Sequence, residues 1–441
     1  MTDEKLIGRQ DPIPEVPLKE KEEYLTLIEE FLGRQWLAKD NYGPFQQLWN
    51  RRDVLSTIEL LSFGSALKTF KGKVTEGIYR KAANEIKSKD QGNSAAKIFE
   101  IVSSSMFENE SQRIEIPKEN NPGYDFLVNL KNGSKIRFSV KALLDSKHAN
   151  EFKSFSQELN RDLPQMLNDH YSIFLIQQDF NITNKYSHSI LKRGLREIIM
   201  KRSFGVPFVS QNNWILRLDK MEPMIGENFY NQKPSYTLLT LCPHQKNEQS
   251  RFYSKIQDAC DNLKKHCSDV DNSSTNGIII KVPDSIAISD ATKWLNEFWD
   301  QQHDCISIVI IMRASYTSSD DLSQSWLTYE FSQVSNPKSK VQISELAPET
   351  LTVQVPIGKV STSETKAIIH VYDKEVTLSG SYWYFSGRHI YQKPMELQNG
   401  NVTFNFKRLP NVHVSCVFTG FPDGDLEMSA RFPPSEDLLI L

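Results

Sequence analysis

The strongest constraint on the fold is an alternation of apolar and amphipathic segments between residues 235 and 313. The apolar segments have almost no polar residue on either face, which is typical of strands buried in a parallel sheet. Amphipathic helical segments separate them, as helices do when they cover the faces of such a sheet. We therefore predict a mostly parallel α/β sheet from strands in YTLLTLC, at Gly277–Val282 and at Ile306–Met312, with helices at Gln249–Cys267 and Asp290–Trp299.

The rest of the chain divides by its hydrophobic periodicity. Residues 1–20 contain three prolines and predict an extended or disordered lead-in, and residues 21–92 predict a helical region. Residues 93–335 predict an α/β domain with an α/β extension. Residues 346–441 contain about seven short strand patterns, among them Leu351–Val355 and Val402–Phe406, and predict an all-β sandwich. The expected fold class is therefore α/β with N-terminal helices and a C-terminal β-sandwich.

Composition excludes several classes of protein. The chain has 52 basic and 55 acidic side chains, so its net charge of −3 argues against indiscriminate coating of nucleic acid. Five cysteines without CxxC spacing predict neither a disulfide framework nor a zinc finger. No apolar run is long enough to span a bilayer, and the N-terminal residues have no apolar core of a signal peptide. A cytoplasmic protein without a membrane partner is expected.

Three charged residues between positions 97 and 142 form the only catalytic candidate. Glu100 lies in a predicted helix whose N-cap we expect to be Ser94. Asp125 lies in a predicted strand at Tyr124–Leu130, and Lys141 lies near the end of the next strand, after a turn at residues 131–134. Carboxylate oxygens are ligands for Mg²⁺. A bound metal ion acidifies water and stabilises charge on a phosphate, and lysine can position either group.

This segment resembles the nuclease core of the PD-(D/E)xK superfamily, most closely its Mrr-like restriction-endonuclease branch. The family pattern is a helix with Phe-Glu, then Gly-x-Asp, then a strand ending in an acid or Gln, any residue, and Lys. Phe99-Glu100, Gly123-Tyr124-Asp125 and Ser139-Val140-Lys141 fall in that register, and the helix at 150–168 and the strand at 171–177 fit the family's element order. The resemblance implies a restriction-endonuclease-like core, with Asp125 and Glu100 as Mg²⁺ ligands and Lys141 as the catalytic lysine.

Ser139 departs from the family pattern, because it occupies the position of the second metal carboxylate or Gln. A hydroxyl is a weaker Mg²⁺ ligand than a carboxylate. Ser139 remains a candidate catalytic position, and either the site is impaired or another acid replaces it. Asp145, Glu151 and Glu119 are the candidate replacements.

A basic amphipathic stretch follows at residues 185–202. Six cations accompany an apolar stripe that includes Leu191, Leu195 and Ile198, a pattern that fits a helix lying along a nucleic-acid backbone or an ordinary solvated helix face. The candidate nucleic-acid-binding residues are Lys185, Lys192, Arg193, Arg196, Lys201 and Arg202.

Three readings of the function remain open at this stage. The first is a Mg²⁺-dependent endonuclease that acts on DNA, for which the resemblance implies a role in restriction or antiphage defence. The second is an inactive nuclease fold that serves as a nucleic-acid-binding or scaffolding subunit and contacts a protein partner through the β-sandwich. A third reading takes residues 235–313 as a separate small-molecule domain.

Overall fold

The structure is a computed structural model. It describes residues 9, 15–39, 43–51, 54–118, 123–167, 171–177, 185–203, 208–209, 214–220, 236–269, 273–283, 285–300, 303–318, 325–346, 351–361, 367–371, 374–377, 381–387, 414–421, 424–430 and 441. The protein is a mixed α/β protein, as the sequence predicted. None of the helices in these ranges is both long and apolar enough to cross a lipid bilayer.

The N-terminal part is helical, as predicted for residues 21–92. The first helix begins at Leu18, within the predicted lead-in. The helix that carries Glu100 begins at Gln91 rather than near Ser94, because the Asp90 carboxylate caps it by accepting hydrogen bonds from the N–H groups of Gly92 and Asn93. The α-helices are α1 (Leu18–Leu32), α2 (Arg34–Leu37), α3 (Pro44–Asn50), α4 (Val54–Lys71), α5 (Glu76–Ile86), α6 (Gln91–Ser105), α7 (Lys147–Asp162), α8 (Lys185–Lys201), α9 (Asn247–His266), α10 (Ile288–Phe298) and α11 (Ile343–Leu346).

The strands form three sheets. Among the described residues the largest has the order β1-β2-β3-β8-β9-β10-β11, the second the order β14-β7-β4-β6-β5, and the third the order β13-β12-β16-β15. The strands are β1 (Gln112–Glu115), β2 (Phe126–Leu130), β3 (Lys135–Ala142), β4 (Tyr171–Gln177), β5 (Phe208–Val209), β6 (Trp214–Lys220), β7 (Tyr236–Pro243), β8 (Ser274–Lys281), β9 (Ile308–Ser318), β10 (Ser325–Ser335), β11 (Gly358–Ser361), β12 (Ala367–Val371), β13 (Lys374–Thr377), β14 (Ser381–Gly387), β15 (Val414–Phe421) and β16 (Gly424–Ala430).

The predicted hairpin is present as β2 and β3, which pair antiparallel with Phe126 opposite Phe138. Gly133, at φ +86°, allows the tight turn between them. Strand β3 then pairs in parallel with β8, and β8 in parallel with β9. The parallel arrangement predicted for 235–313 is therefore confirmed for these two strands.

Two expectations about the strands next to this hairpin were wrong. Strand β7 does not join β8 and β9, and the strand at 171–177 does not extend the sheet of β2 and β3; the two pair in parallel with each other in the second sheet. The neighbour of β3 is β8, whose residues 274–280 are all buried and therefore suit a central strand. An apolar pattern predicts a buried strand but does not determine its partner.

The C-terminal strands do not all belong to one sheet. Strand β11 pairs in parallel with β10, and β14 pairs antiparallel with β7, so both extend sheets built mainly from earlier residues. The segment 351–355, predicted as a strand, has no regular secondary structure. The strand predicted at 402–406 lies outside the described residues. A separate β-sandwich over residues 346–441 is not confirmed and stays a prediction.

Apolar side chains pack in three clusters. Helices α1, α4, α5 and α6 cover one face of the large sheet, with Phe107, Phe126 and Phe138 in mutual ring contact. Helices α9 and α10 cover the other face. The third cluster joins α7 and α8 to the second sheet. Among the described residues, four cysteines are buried and form no disulfide bond: Cys242, Cys260, Cys267 and Cys305.

Candidate functional site

Asp125 is held in place by the strand opposite it. Its backbone N–H donates to the Phe138 carbonyl at 2.8 Å, which continues the ladder of β2 and β3 by one residue. Its Oδ2 accepts a hydrogen bond from the Val140 N–H at 2.6 Å. The hairpin therefore determines both the backbone and the side-chain position of this carboxylate.

Glu100 lies on α6, where Lys97 precedes it by one helical turn. The Lys97 Nζ atom is 2.5 Å from Glu100 Oε2 and 3.1 Å from Glu85 Oε2 on α5. The side chains of Lys97 and Glu100 are 19% and 18% exposed, so this ion pair is largely shielded from water. One ammonium thus bridges carboxylates from two helices.

These groups face a cavity of about 240 Å³ between the N-terminal helices and the edge of the large sheet. Glu100 and Asp125 both line it, so the structure brings these two predicted residues together. Lys81 and Lys118 also line it, and both are exposed. The other lining residues are Phe70, Ile78, Ala82, Glu85, Lys97, Ile116, Pro117, Gly123, Tyr124 and Asn262.

Burial raises the pKa of both carboxylates. Loss of solvation raises the pKa of Glu100 to about 7, and the charges of Asp125 and Glu85 add to this, while Lys97 opposes it. Burial also raises the pKa of Asp125, against the Val140 N–H and the charges of Lys141 and Lys97. A cation in the cavity would favour the ionised form of both groups.

Lys141 and Ser139 differ from Glu100 and Asp125 in their position relative to the cavity. Lys141 is close enough to Asp125 for its charge to oppose the rise in that pKa, but neither Lys141 nor Ser139 is among the described residues that line the cavity. Ser139 is 1% exposed inside β3, opposite Ile278 of β8. Ser139 therefore does not provide a solvent-accessible ligand.

The part of the chain that the structure describes offers no replacement for the missing acid near Asp125. Among the described residues, no group of three or more His, Cys, Asp or Glu side chains is placed to hold a metal ion. Asp145 lies near Glu248, Arg251 and Lys281, and Glu151 pairs with Lys147 and His148. Glu119 lies outside the described residues. The Asp125–Glu100 pair can hold Mg²⁺, since that ion is bound through one or two carboxylates with waters completing its shell.

The basic stretch forms helix α8, as predicted, and packs on the second sheet through Leu191, Leu195 and Ile198. Lys192 pairs with Asp162, and Lys201 is 3.7 Å from Glu197. Arg193, Arg196 and Arg202 are exposed, and the described residues include no ion-pair partner for them. The side chain of Lys185 lies outside the described residues.

Sequence reasoning missed Lys97, Glu85, Lys81 and Lys118. Lys97 could have been found, because it lies three residues before Glu100 on the same helix. Glu85 and Lys81 reach the cavity from α5, and no local pattern shows that α5 packs beside α6. Asn262 also reaches the site, donating from Nδ2 to the Gly123 carbonyl at 3.0 Å.

The raised pKa of Glu100 predicts that stability falls as pH rises. The unfolded carboxyl titrates near 4.5 and the folded one near 7, so the stabilising contribution is complete below pH 4.5 and is lost as pH rises to 7. The loss is about 3 kcal/mol at most. Denaturant unfolding without metal at pH 4.5 and pH 8 should show a smaller loss in Glu100→Gln than in the wild type. Glu76→Gln, on the exposed face of α5, is the control, and an equal loss in all three proteins would contradict the expectation.

Comparison of the chain with protein-family profiles, with characterised protein sequences and with experimental structures finds no match. The residues of the cavity and their surroundings are therefore the basis for any functional conclusion.

Proposed function

We propose that the protein is a metal-dependent nuclease that hydrolyses phosphodiester bonds of DNA, with Asp125 and Glu100 as ligands of one Mg²⁺ ion. The observation that carries this proposal is the combination of groups in one cavity. Two half-buried carboxylates lie inside it, and two exposed lysines, Lys81 and Lys118, lie at its rim. Such a cavity attracts a divalent cation and a phosphate together.

The order of elements around the cavity supports the proposal. Helix α6 precedes the antiparallel strands β1, β2 and β3, and β8 then lies parallel to β3 after helix α9. This is the helix, three strands, helix, strand order of the nuclease core that the motif resembles. Residues 147–243, which include α7, α8 and β7, are inserted between β3 and α9 and provide four of the five described strands of the second sheet.

Each residue has a role that its position allows. Asp125 and Glu100 would hold the metal, which acidifies a water molecule and stabilises the charge that develops on the phosphate. Lys141 would support the ionised form of Asp125, since its charge reaches that carboxylate. Lys81 and Lys118 would hold phosphate oxygens at the cavity rim as point charges.

A second candidate function is nucleic-acid binding without cleavage, and the position of Ser139 favours it. Ser139 is buried within β3, and no group of three or more His, Cys, Asp or Glu side chains among the described residues could hold a metal ion. In this reading α8 and the cavity rim bind the nucleic-acid backbone. The C-terminal β region would then contact a protein partner, and a role in cytoplasmic antiphage defence is compatible with either candidate.

A cleavage assay separates the two candidates. Purified protein is incubated with plasmid DNA, linear duplex, single-stranded DNA and RNA in Mg²⁺, in Mn²⁺ and in EDTA. The first candidate predicts cleavage of DNA with either metal and none in EDTA. Salt-sensitive DNA binding without cleavage would support the second candidate, and absence of binding at low salt would contradict both.

Helix α8 carries a separate prediction for binding. If Arg193 and Arg196 contact phosphates, each Ala substitution should reduce the dependence of log affinity on log salt by about 1. The slope of log affinity against log salt concentration should therefore fall by about 2 in the double variant. The slope is measured by fluorescence anisotropy between about 50 and about 200 mM salt. Lys192→Ala is the control, because Lys192 already pairs with Asp162. An unchanged slope in the double variant would exclude α8 from the DNA contact.

A further inference from the structure

Lys97 is the least expected group in the cavity, because a site for a divalent cation already contains a cation. Its ammonium lies against Glu100 at 2.5 Å, where it neutralises one of the two proposed metal ligands. Lys97 therefore places a positive charge directly against a proposed metal ligand.

Glu85 provides a second partner for the same ammonium. Its Oε2 is 3.1 Å from Lys97 Nζ, and its side chain is 35% exposed, compared with 18% for Glu100. Lys97 can therefore lose its contact with Glu100 and still remain paired. Lysine has a flexible stem and three donors in no fixed plane, so a small movement between the carboxylates requires no backbone change.

The charges in the cavity match this exchange. Glu85, Glu100 and Asp125 contribute three negative charges when ionised and Lys97 contributes one positive charge, so these four groups leave a formal charge of −2. The exposed Lys81 and Lys118 at the rim bring the cavity lining as a whole to zero. Without Lys97, the half-buried carboxylates of Glu100 and Asp125 would lie beside Glu85 with no cation between them, which is costly in a largely shielded site.

We propose that Lys97 is the resident counter-cation of this site, paired with Glu100 and Glu85 before metal binds and with Glu85 alone once a divalent cation takes Glu100. The inference rests on the metal site of the proposed function, but it concerns metal binding and does not require cleavage. Lys97 is thus a positioning residue that sets the affinity for metal, and Glu85 is the carboxylate with which it stays paired when metal is bound.

The test is the dissociation constant of Mn²⁺, measured by electron paramagnetic resonance at pH 8.5 without nucleic acid. Lys97→Met removes the competing cation and should tighten Mn²⁺ binding by about tenfold, a factor that corresponds to 1.4 kcal/mol. Glu85→Gln removes the second ion-pair partner of Lys97 and should weaken Mn²⁺ binding by a similar factor. Lys73→Met is the control, because Lys73 forms a comparable half-buried pair with Glu108 away from the cavity, and it should leave the constant unchanged.

The double variant Lys97→Met/Glu85→Gln shows whether Glu85 acts by pairing with Lys97 or only by its negative charge. If Glu85 acts by holding Lys97, Glu85→Gln should have little effect once Lys97 is Met, and the two substitutions will be strongly non-additive. Circular dichroism verifies that each variant is folded. Unchanged or weaker Mn²⁺ binding in Lys97→Met overturns the inference, as does additivity in the cycle.

The outcomes also distinguish this inference from the proposed function. No Mn²⁺ binding by the wild type overturns both. Mn²⁺ affinity that is the same in the wild type and in Lys97→Met overturns only the role of Lys97 as counter-cation. If Lys97→Met binds Mn²⁺ more tightly as expected but the wild type does not cleave DNA, the role of Lys97 as counter-cation stands and the nuclease proposal is overturned.

Discussion

Asp125→Asn should abolish DNA cleavage while the fold remains intact. The amide keeps the size of the side chain, and its oxygen can still accept the hydrogen bond from Val140 N–H. It removes the charge that would hold the metal and that Lys141 supports. Metal catalysis is worth several kcal/mol, so we expect a fall in rate of about a thousandfold. The measurement is the initial rate of cleavage of the best substrate at saturating Mg²⁺.

Asp145→Asn is the matched control for this prediction. Asp145 is also a carboxylate whose pKa burial raises, and it lies just beyond the end of β3, but it is not among the residues that line the cavity. We expect it to retain cleavage. If Asp145→Asn is the inactive variant and Asp125→Asn is active, Asp145 has replaced the missing acid and the site has been placed wrongly.

Gly123→Ala should destabilise the protein strongly and reduce cleavage with it. Gly123 has φ +87°, and a Cβ there would lie 2.3 Å from His266 Cβ and 3.3 Å from Cys267 Sγ. The backbone conformation alone costs an Ala residue about 1–2 kcal/mol. Overpacking against the end of α9 adds about 1–3 kcal/mol. Since Asp125 is two residues away, any shift that relieves this clash will also move the carboxylate.

Gly133→Ala is the control that isolates the backbone effect. Gly133 has nearly the same φ, +86°, but its added Cβ would have nothing within 4 Å. Urea unfolding should therefore show a loss of about 1–2 kcal/mol for Gly133→Ala and about twice that for Gly123→Ala. Equal losses would mean that the contact between Gly123 and His266 does not constrain the approach to Asp125.

Local pattern predicted the elements of the site well. The turn at 131–134 and the two strands around it follow from residue chemistry and alternation, and these are the features that place Asp125 against Val140. The helix that carries Glu100 was also predicted. The error at its start came from preferring Ser94 to Asp90, both residue types that favour an N-cap.

Partners at long range could not be predicted in the same way. Strands β4, β7 and β8 have similar apolar sequences, and only packing separates β8 from the other two. The hydroxyl of buried Ser156 on α7 hydrogen-bonds that of Thr240 on β7 at 2.7 Å. This contact holds β7 against α7, the helix that packs on the second sheet. Likewise Glu85 joins the cavity because α5 packs on α6, and no motif in the sequence links the two helices.

The metal site is tested most directly by the number of Mn²⁺ ions bound by the wild type and by Asp125→Asn, counted by electron paramagnetic resonance at pH 8.5. We expect one ion in the wild-type cavity and its loss in Asp125→Asn, while Asp145→Asn keeps it. The same number of bound ions in all three proteins, or none in the wild type, would contradict the claim that Asp125 and Glu100 form a metal site.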